Sequence, residues 1–222
     1  DAGDARILIK RRLLAKIVLC FQENPPETGL DRKEVAIMAK ASANGIELEY
    51  ETFGNPGSPA LLLIAGLADQ LIVWDDPLCR QLPDRGLYVI RFDNRDVGLS
   101  SKLEEAGAPD IMKTIEARMR GETINPPYTI DDMADDAVGL LDALGIWKAH
   151  ICGISMGGMI AQSIAINHPK RVRGLISIYS STGDPQDPQA KPETINFLLA
   201  PSPVEREANI EHTVKLFRAI TG

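Results

Sequence analysis

The stretch from residue 149 to residue 161 constrains the fold more than any other part of the chain. An apolar, strand-like run leads into a Gly-x-Ser-x-Gly pattern at Gly153, Ser155 and Gly157, and a helical run follows that ends near His168. A turn this tight has no room for side chains two residues before and after the serine, which accounts for both glycines. Such matches also occur by chance in glycine-rich turns, but the strand before and the helix after favour a nucleophile elbow. The pattern predicts that Ser155 projects from a helix N-terminus, where N–H groups and the helix dipole favour negative charge.

The composition is that of an ordinary globular protein and excludes several classes of function. The chain has 222 residues, of which 44% are hydrophobic and 25% charged, enough for one sizeable core. The net charge of −7 argues against a nucleic-acid partner, and the chain has no run of about 18 apolar residues to cross a bilayer. Neither a nucleic acid nor a membrane is therefore expected as a partner, and the predicted location is the cytoplasm.

No metal and no cofactor are predicted. Cys20, Cys79 and Cys152 show neither the Cys-x-x-Cys spacing of a metal or redox site nor an even-numbered disulfide framework. Cys152 is interpreted as a small buried hydrophobic residue. Four aspartates lie near the start of a predicted helix over residues 129–144. They fit a helix N-terminus and a solvated helix face better than a metal cluster.

Three segments are predicted along the chain: an N-terminal extension and linker (1–34), a core (35–183) and the start of a lid or cap (184–222). Residues 6–21 are basic, with apolar residues at helical spacing. They fit an extension better than a signal peptide, because Lys16 interrupts the apolar run. The proline-rich stretch from residue 180 to residue 203 opens the predicted cap.

Within the core, apolar runs of strand length alternate with helical patterns. Strands are predicted over residues 35–39, 46–52, 60–65, 87–92, 149–153 and 172–179, and helices over 77–84, 111–119, 129–144, 156–168 and 204–219. Continuous apolar strands separated by helices indicate the α/β class, with a mostly parallel sheet and helices on both faces. The polar turn over residues 93–100 then follows a strand at the ligand-binding edge, either as a solvated loop or as a structural network beneath the site.

Four motifs occur in order along the core, over residues 62–70, 89–100, 128–133 and 153–162. Together they resemble the α/β-hydrolase fold family, and more narrowly the branch that includes the aclacinomycin and rhodomycin methylesterases. The resemblance implies that Ser155 is the nucleophile and that the backbone N–H groups of Leu67 and Met156 form the oxyanion hole. Many members carry a His-Gly pair where this chain has Ala65-Gly66. Because the donor is a backbone N–H, this difference leaves the predicted hole intact.

A serine nucleophile needs a base and an acid, and the order expected in this fold is serine, acid, histidine. His150 lies five residues before Ser155, roughly 16 Å away along a strand. His168 follows Ser155 by thirteen residues, about 20 Å along a helix. Both are therefore excluded as the base. His212, on the predicted last helix, is better interpreted as an ordinary helix histidine, and Asp184 is a weak candidate for the acid.

The simplest interpretation is a fold that is incomplete at its C-terminus, ending inside the lid before the acid and the histidine. Two consequences are expected from it. Catalysis by this chain should be weak, and the strand over residues 172–179 should end the sheet with an exposed edge.

The leading hypothesis is a serine hydrolase that cleaves a small-molecule carboxylic ester through an acyl-enzyme at Ser155. One alternative is a truncated, catalytically impaired chain that acts as a binding or self-associating module through the exposed sheet edge. Another is cofactor-free perhydrolysis on the same elbow. No residue in the sequence separates this last chemistry from ester hydrolysis.

Overall fold

A computed structural model of the chain describes residues 37–107, 113–114, 116–117, 120–184, 186, 200 and 203–221. The predicted extension (1–34) and most of the predicted helix over 111–119 lie outside these residues. The α/β class predicted from the sequence is confirmed.

Six strands form one mixed sheet. They are β1 (Ile37–Ala43), β2 (Ile46–Phe53), β3 (Ala60–Ile64), β4 (Tyr88–Phe92), β5 (Ala149–Ile154) and β6 (Val172–Ile178). Their order across the sheet is β1-β2-β4-β3-β5-β6. β2 pairs antiparallel with β1 and with β4, while β3, β4, β5 and β6 run parallel to one another. The hairpin between β1 and β2 turns at Asn44 and Gly45, both with positive φ, as the Asn-Gly pair predicts.

The centre of the sheet places the functional edge. Every residue of β3 and of β4 is buried, as expected for strands covered on both faces. β3 and β5 are direct neighbours, with Ile64 opposite Gly153. Because parallel strands end at the same edge of a sheet, the turn after β3 and the turn after β5 lie side by side.

Helices cover both faces of this sheet. They are α1 (Asp76–Gln81), α2 (Ile130–Ala143) and α3 (Met156–Asn167), and a fourth helix, α4 (Arg206–Thr221), lies further along the chain. α2 and α3 contribute to one buried apolar cluster with β2, β3, β4 and β5. On the opposite face, buried Arg91 of β4 pairs with Asp76 at the start of α1 (2.6 Å) and with Glu51 of β2.

Local chemistry explains the helix ends. α2 begins with a reciprocal cap, in which Thr129 accepts from the N–H of Asp132 and the Asp132 carboxylate accepts from the N–H of Thr129. The helix predicted over 77–84 ends earlier, at Gln81, and a 3-10 turn over Pro83–Arg85 follows. Pro83 has no N–H to continue the helical hydrogen bonds.

The chain divides into two compact units. One unit holds the sheet and α1 to α3, and its described residues are 37–107 and 125–183. The other takes the described residues of 109–124 and of 184–222, including α4. Its C-terminal segment begins at Asp184, where the sequence predicts the start of a cap, but the unit also takes residues 109–124, which the sequence assigns to the core.

Two of the three cysteines lie in the described part of the chain. Cys79 and Cys152 are buried free thiols, and burial raises the pKa of Cys79 to about 12. Cys152 is fully buried in β5, as predicted. No helix among the described residues is both long enough and apolar enough to pass through a bilayer.

Candidate active site

Ser155 occupies the turn between β5 and α3 in a strained backbone conformation. Its φ of 56° and ψ of −123° lie where residues with a side chain are rarely found. The turn is held on both sides: the N–H of Ser155 donates to the carbonyl of Ile178 (2.9 Å), and its carbonyl accepts from the N–H of Gly158 (2.9 Å). The side chain makes no capping hydrogen bond to the helix. The strained turn predicted for Ser155 is therefore confirmed, and its hydroxyl is not consumed by the helix that follows.

The glycines on either side of Ser155 are required by close backbone contacts. A Cβ at Gly153 would overlap the carbonyl of Gly157, and a Cβ at Gly157 would overlap the carbonyls of Ile64 and Ala65. α3 thus packs directly on the ends of β3 and β5. This is the steric reason that the sequence pattern indicates.

Two backbone N–H groups beside Ser155 have no partner among the described residues. Met156 is the first residue of α3, so its N–H lies outside the ladder of hydrogen bonds within the helix. Leu67 follows Gly66 in the turn after β3. A Cβ at Gly66 would lie 3.4 Å from the Cβ of Ser155, so this turn lies against the serine. Both N–H groups therefore lie beside Ser155 without an internal acceptor among the described residues.

The turn after β3 is held by buried polar residues that follow β4. Asn94 donates to the carbonyl of Ala65 (3.2 Å), and the Asp93 carboxylate accepts from the N–H groups of Leu71 (2.7 Å) and Leu99 (2.8 Å). Asp93 and Asn94 are both buried. Of the two alternatives for residues 93–100, the structure has the network and not the solvated loop.

Asp69 lies near Ser155, which the sequence alone does not indicate. Its Oδ2 lies 2.8 Å from the position that a Cβ at Gly66 would occupy, which places the carboxylate close to Ser155. Burial raises its pKa. The available signal was an acid in the otherwise apolar turn that ends β3.

Two histidines lie at the wrong ends of the elements that carry Ser155. His150 is the second residue of β5, next to Gly174 of β6, and burial, followed by the nearby Arg173, lowers its pKa. His168 follows the last residue of α3, and its Nε2 lies 2.7 Å from Asp135. Most of β5 therefore separates Ser155 from His150, and the twelve residues of α3 separate it from His168.

The two weaker candidates, Asp184 and His212, belong to the second unit. The Asp184 carboxylate accepts from the N–H of Gln186 (2.8 Å), and His212 is half-buried on α4. Within the described residues, no group of three or more histidines, cysteines and acids is arranged to hold a metal ion.

Apolar side chains stand exposed near the edge that carries Ser155. They lie on the turn after β3, on the 3-10 turn that follows it and on the loop after β4: Leu67, Ile72, Val73 and Leu99. Apolar walls around a few oriented polar groups are typical of sites for small organic ligands.

A family model described as the alpha/beta hydrolase fold matches residues 59–202. The chain belongs to the α/β-hydrolase fold family. The match includes β3 to β6, both turns beside Ser155 and the polar network beneath them.

Curated relatives of this α/β-hydrolase chain carry names of hydrolytic enzymes. It is 34% identical over 127 residues to rhodomycin D methylesterase from a Streptomyces species, covering 57% of this chain and 37% of the relative. It is 31% identical over 156 residues to 3-oxoadipate enol-lactonase 2 from Acinetobacter baylyi, covering 69% and 50%. A putative carbamate hydrolase from Caulobacter segnis is 30% identical over 141 residues, covering 64% and 45%. The chain spans half or less of the length of these relatives.

Solved structures support the same fold. A hydrolase from Pseudomonas aeruginosa superposes with a TM-score of 0.53 at 22% identity, covering 86% of this chain and 71% of that one. An enol-lactonase from Burkholderia xenovorans gives a TM-score of 0.52 at 23% identity, covering 82% and 66%. At these identities the likeness concerns the fold alone.

Proposed function

We propose that this chain carries the nucleophile and the oxyanion hole of a serine hydrolase that cleaves carboxylic esters of small molecules. The observation that carries the proposal is the strained turn of Ser155, beside two N–H groups without partners among the described residues. A strained backbone at a polar, partly open site is typical of functional residues. The names of the curated relatives, a methylesterase, an enol-lactonase and a putative carbamate hydrolase, favour hydrolysis.

In the proposed reaction, Ser155 Oγ attacks the carbonyl carbon of the ester and gives its proton to a base. The negative charge that forms on the carbonyl oxygen accepts hydrogen bonds from the N–H groups of Leu67 and Met156, and the N-terminus of α3 stabilises it further. The bond to the alcohol oxygen then breaks, and the alcohol leaves with the proton. Water attacks the acyl-enzyme in the same way and regenerates the serine.

We propose that neither histidine described in the unit that holds Ser155 serves as its base. His150 and His168 are the histidines of that unit's described residues, and both lie at the far ends of their elements. We also propose a cytoplasmic location, in keeping with the free thiols of Cys79 and Cys152.

Turnover of p-nitrophenyl butyrate with and without added imidazole tests this proposal. An oxyanion hole without a positioned base leaves roughly 10³- to 10⁴-fold catalysis over water, so we expect slow turnover. Imidazole should raise the rate, because it supplies a base to the Ser155 hydroxyl, and Ser155→Ala should abolish the rise.

Two results would overturn parts of the proposal. An identical imidazole response in Ser155→Ala would remove Ser155 from the reaction. Turnover at ordinary enzyme rates that is lost in His212→Ala would instead make His212 the base.

A further inference from the structure

The carboxylate of Asp69 is fixed close to the proposed nucleophile by the shape of the turn after β3. Ala68 has a φ of 58°, which reverses the chain, and the N–H of Asp69 donates to the carbonyl of Gly66 (3.3 Å). The side chain therefore folds back over Gly66. The point where a Cβ at Gly66 would stand is 2.8 Å from Asp69 Oδ2 and 3.4 Å from Ser155 Cβ. The Asp69 carboxylate and the Ser155 side chain therefore border the same small space, which is open because residue 66 is a glycine.

Several buried acids of this unit have partners, whereas the half-buried Asp69 has none among the described residues. Asp136 pairs with Arg95, Glu51 pairs with Arg91, and Asp93 accepts two backbone N–H groups. No described residue donates to the Asp69 carboxylate or pairs with it. Burial raises the pKa of Asp69, and the described chain supplies no cation to offset the desolvation of the charged form.

We propose that Asp69 is a specificity-determining residue that binds a cationic group of the substrate. The substrate class is small esters that carry an ammonium group a few bonds from the ester carbonyl. This inference rests on the proposed ester hydrolysis at Ser155 and specifies which esters the site takes.

Two opposite electrostatic features stand side by side in the site. The N–H groups of Leu67 and Met156 and the N-terminus of α3 attract the carbonyl oxygen, while Asp69 attracts the ammonium group. Nearby exposed apolar side chains, including Leu67 and Leu99, reduce contact with water when a ligand is bound, which strengthens attraction between charges. Esters with a carboxylate in place of the ammonium group are repelled.

Binding of isosteric ester pairs to the Ser155→Ala chain tests the inference without relying on catalysis. The first pair is methyl 3-aminopropanoate and methyl butanoate, in which the charge lies on the acyl side. The second is acetylcholine and 3,3-dimethylbutyl acetate, in which it lies on the alcohol side. Dissociation constants are measured by NMR titration, and monomethyl succinate provides the anionic member.

We expect the cation to bind roughly tenfold more tightly than its neutral isostere in at least one pair, and monomethyl succinate to bind most weakly. Adding Asp69→Asn should reduce that ratio to about one. Asp84→Asn is the matched control, since it removes an exposed carboxylate from the 3-10 turn before β4, at the opposite edge of the sheet, and it should leave the ratio unchanged.

Equal binding of cation and isostere in both pairs would overturn the inference, as would a preference that survives Asp69→Asn. The comparison of cation with neutral isostere is made in the Ser155→Ala chain, which keeps Asp69. Its result therefore stands even if the chain that also carries Asp69→Asn fails to fold. A preference for cations together with no turnover that depends on Ser155 would refute the proposed ester hydrolysis and leave the role of Asp69 in binding cations intact.

Discussion

β5 and β6 are neighbours in the sheet, yet their surroundings differ sharply. β5 pairs with a strand on each side and its residues are mostly buried, whereas β6 pairs with β5 alone among the described strands. Along β6, half-buried and exposed residues alternate until Ile178. Ser155 is thus attached to a strand that is paired on both sides. The outer edge of β6 has backbone N–H and C=O groups that pair with no described strand.

The largest expected effect comes from adding a methyl group at the central turn. Gly153→Ala places a Cβ on the carbonyl of Gly157, and no side chain can move to relieve a contact between backbone atoms. We expect a loss of about 3 kcal/mol or more in the free energy of unfolding, measured with urea.

Gly183→Ala is the control for this change, because its new Cβ meets nothing within 4 Å although φ is +83°. It should cost about 1 kcal/mol, from backbone strain alone. Equal losses for the two variants would show that the contacts at the elbow are not the cause.

An intermediate effect is expected at the sheet edge, on association rather than on folding. Leu175 of β6 is 42% exposed, beside backbone groups that a second copy could pair. Light scattering across a concentration series should show a mass that rises with concentration, and Leu175→Lys should suppress the rise.

Ile166→Lys makes the same kind of change near the end of α3, at a residue that is 77% exposed, and should leave the association intact. A constant mass for the unaltered chain, or equal suppression by both variants, would contradict self-association through β6.

The smallest effect on the free energy of unfolding is expected at the cap of α2, which lies outside β5 and β6. Hydrogen bonds from Thr129 lower the pKa of Asp132. Its carboxylate therefore stabilises the fold at any pH above the pKa that Asp132 has in the unfolded chain, and this effect is lost as the pH falls through the lower pKa of Asp132 in the folded chain. Asp132→Asn should cost less than about 1 kcal/mol at pH 7. The difference should shrink below about pH 4, as measured by urea unfolding at both pH values. A difference that grows on acidification would contradict this role.

The features that the sequence predicts well are those set by sterics over a few residues. The elbow is predictable because a Cβ at Gly153 or Gly157 would overlap backbone atoms. The hairpin is predictable because its turn needs positive φ, which Asn44 and Gly45 both adopt. The α/β class is readable because β3 and β4 are short, continuous apolar runs covered on both faces.

The features that the sequence does not predict depend on partners distant in the chain. The prediction of a solvated face on α2 is wrong for Asp136, which is buried and pairs with Arg95, 41 residues away (2.6 Å). The edge strand over residues 172–179 is not exposed along its whole length: Ile178 is 6% exposed, because that end of the strand lies beside the elbow, where its carbonyl accepts from the N–H of Ser155. Asp69 was missed because a turn residue gives no sign of where its side chain folds.

The central claim is that Ser155 is the nucleophile, and mass spectrometry after brief exposure to p-nitrophenyl acetate tests it most directly. The acetyl group is located on proteolytic peptides of the folded chain and of the chain unfolded in urea. We predict that acetylation of Ser155 in the folded chain exceeds that of the other serines and falls to their level in urea, because the strained turn and the N–H groups of Leu67 and Met156 act only in the fold. Acetylation of Ser155 no greater in the folded chain than in urea would contradict the claim.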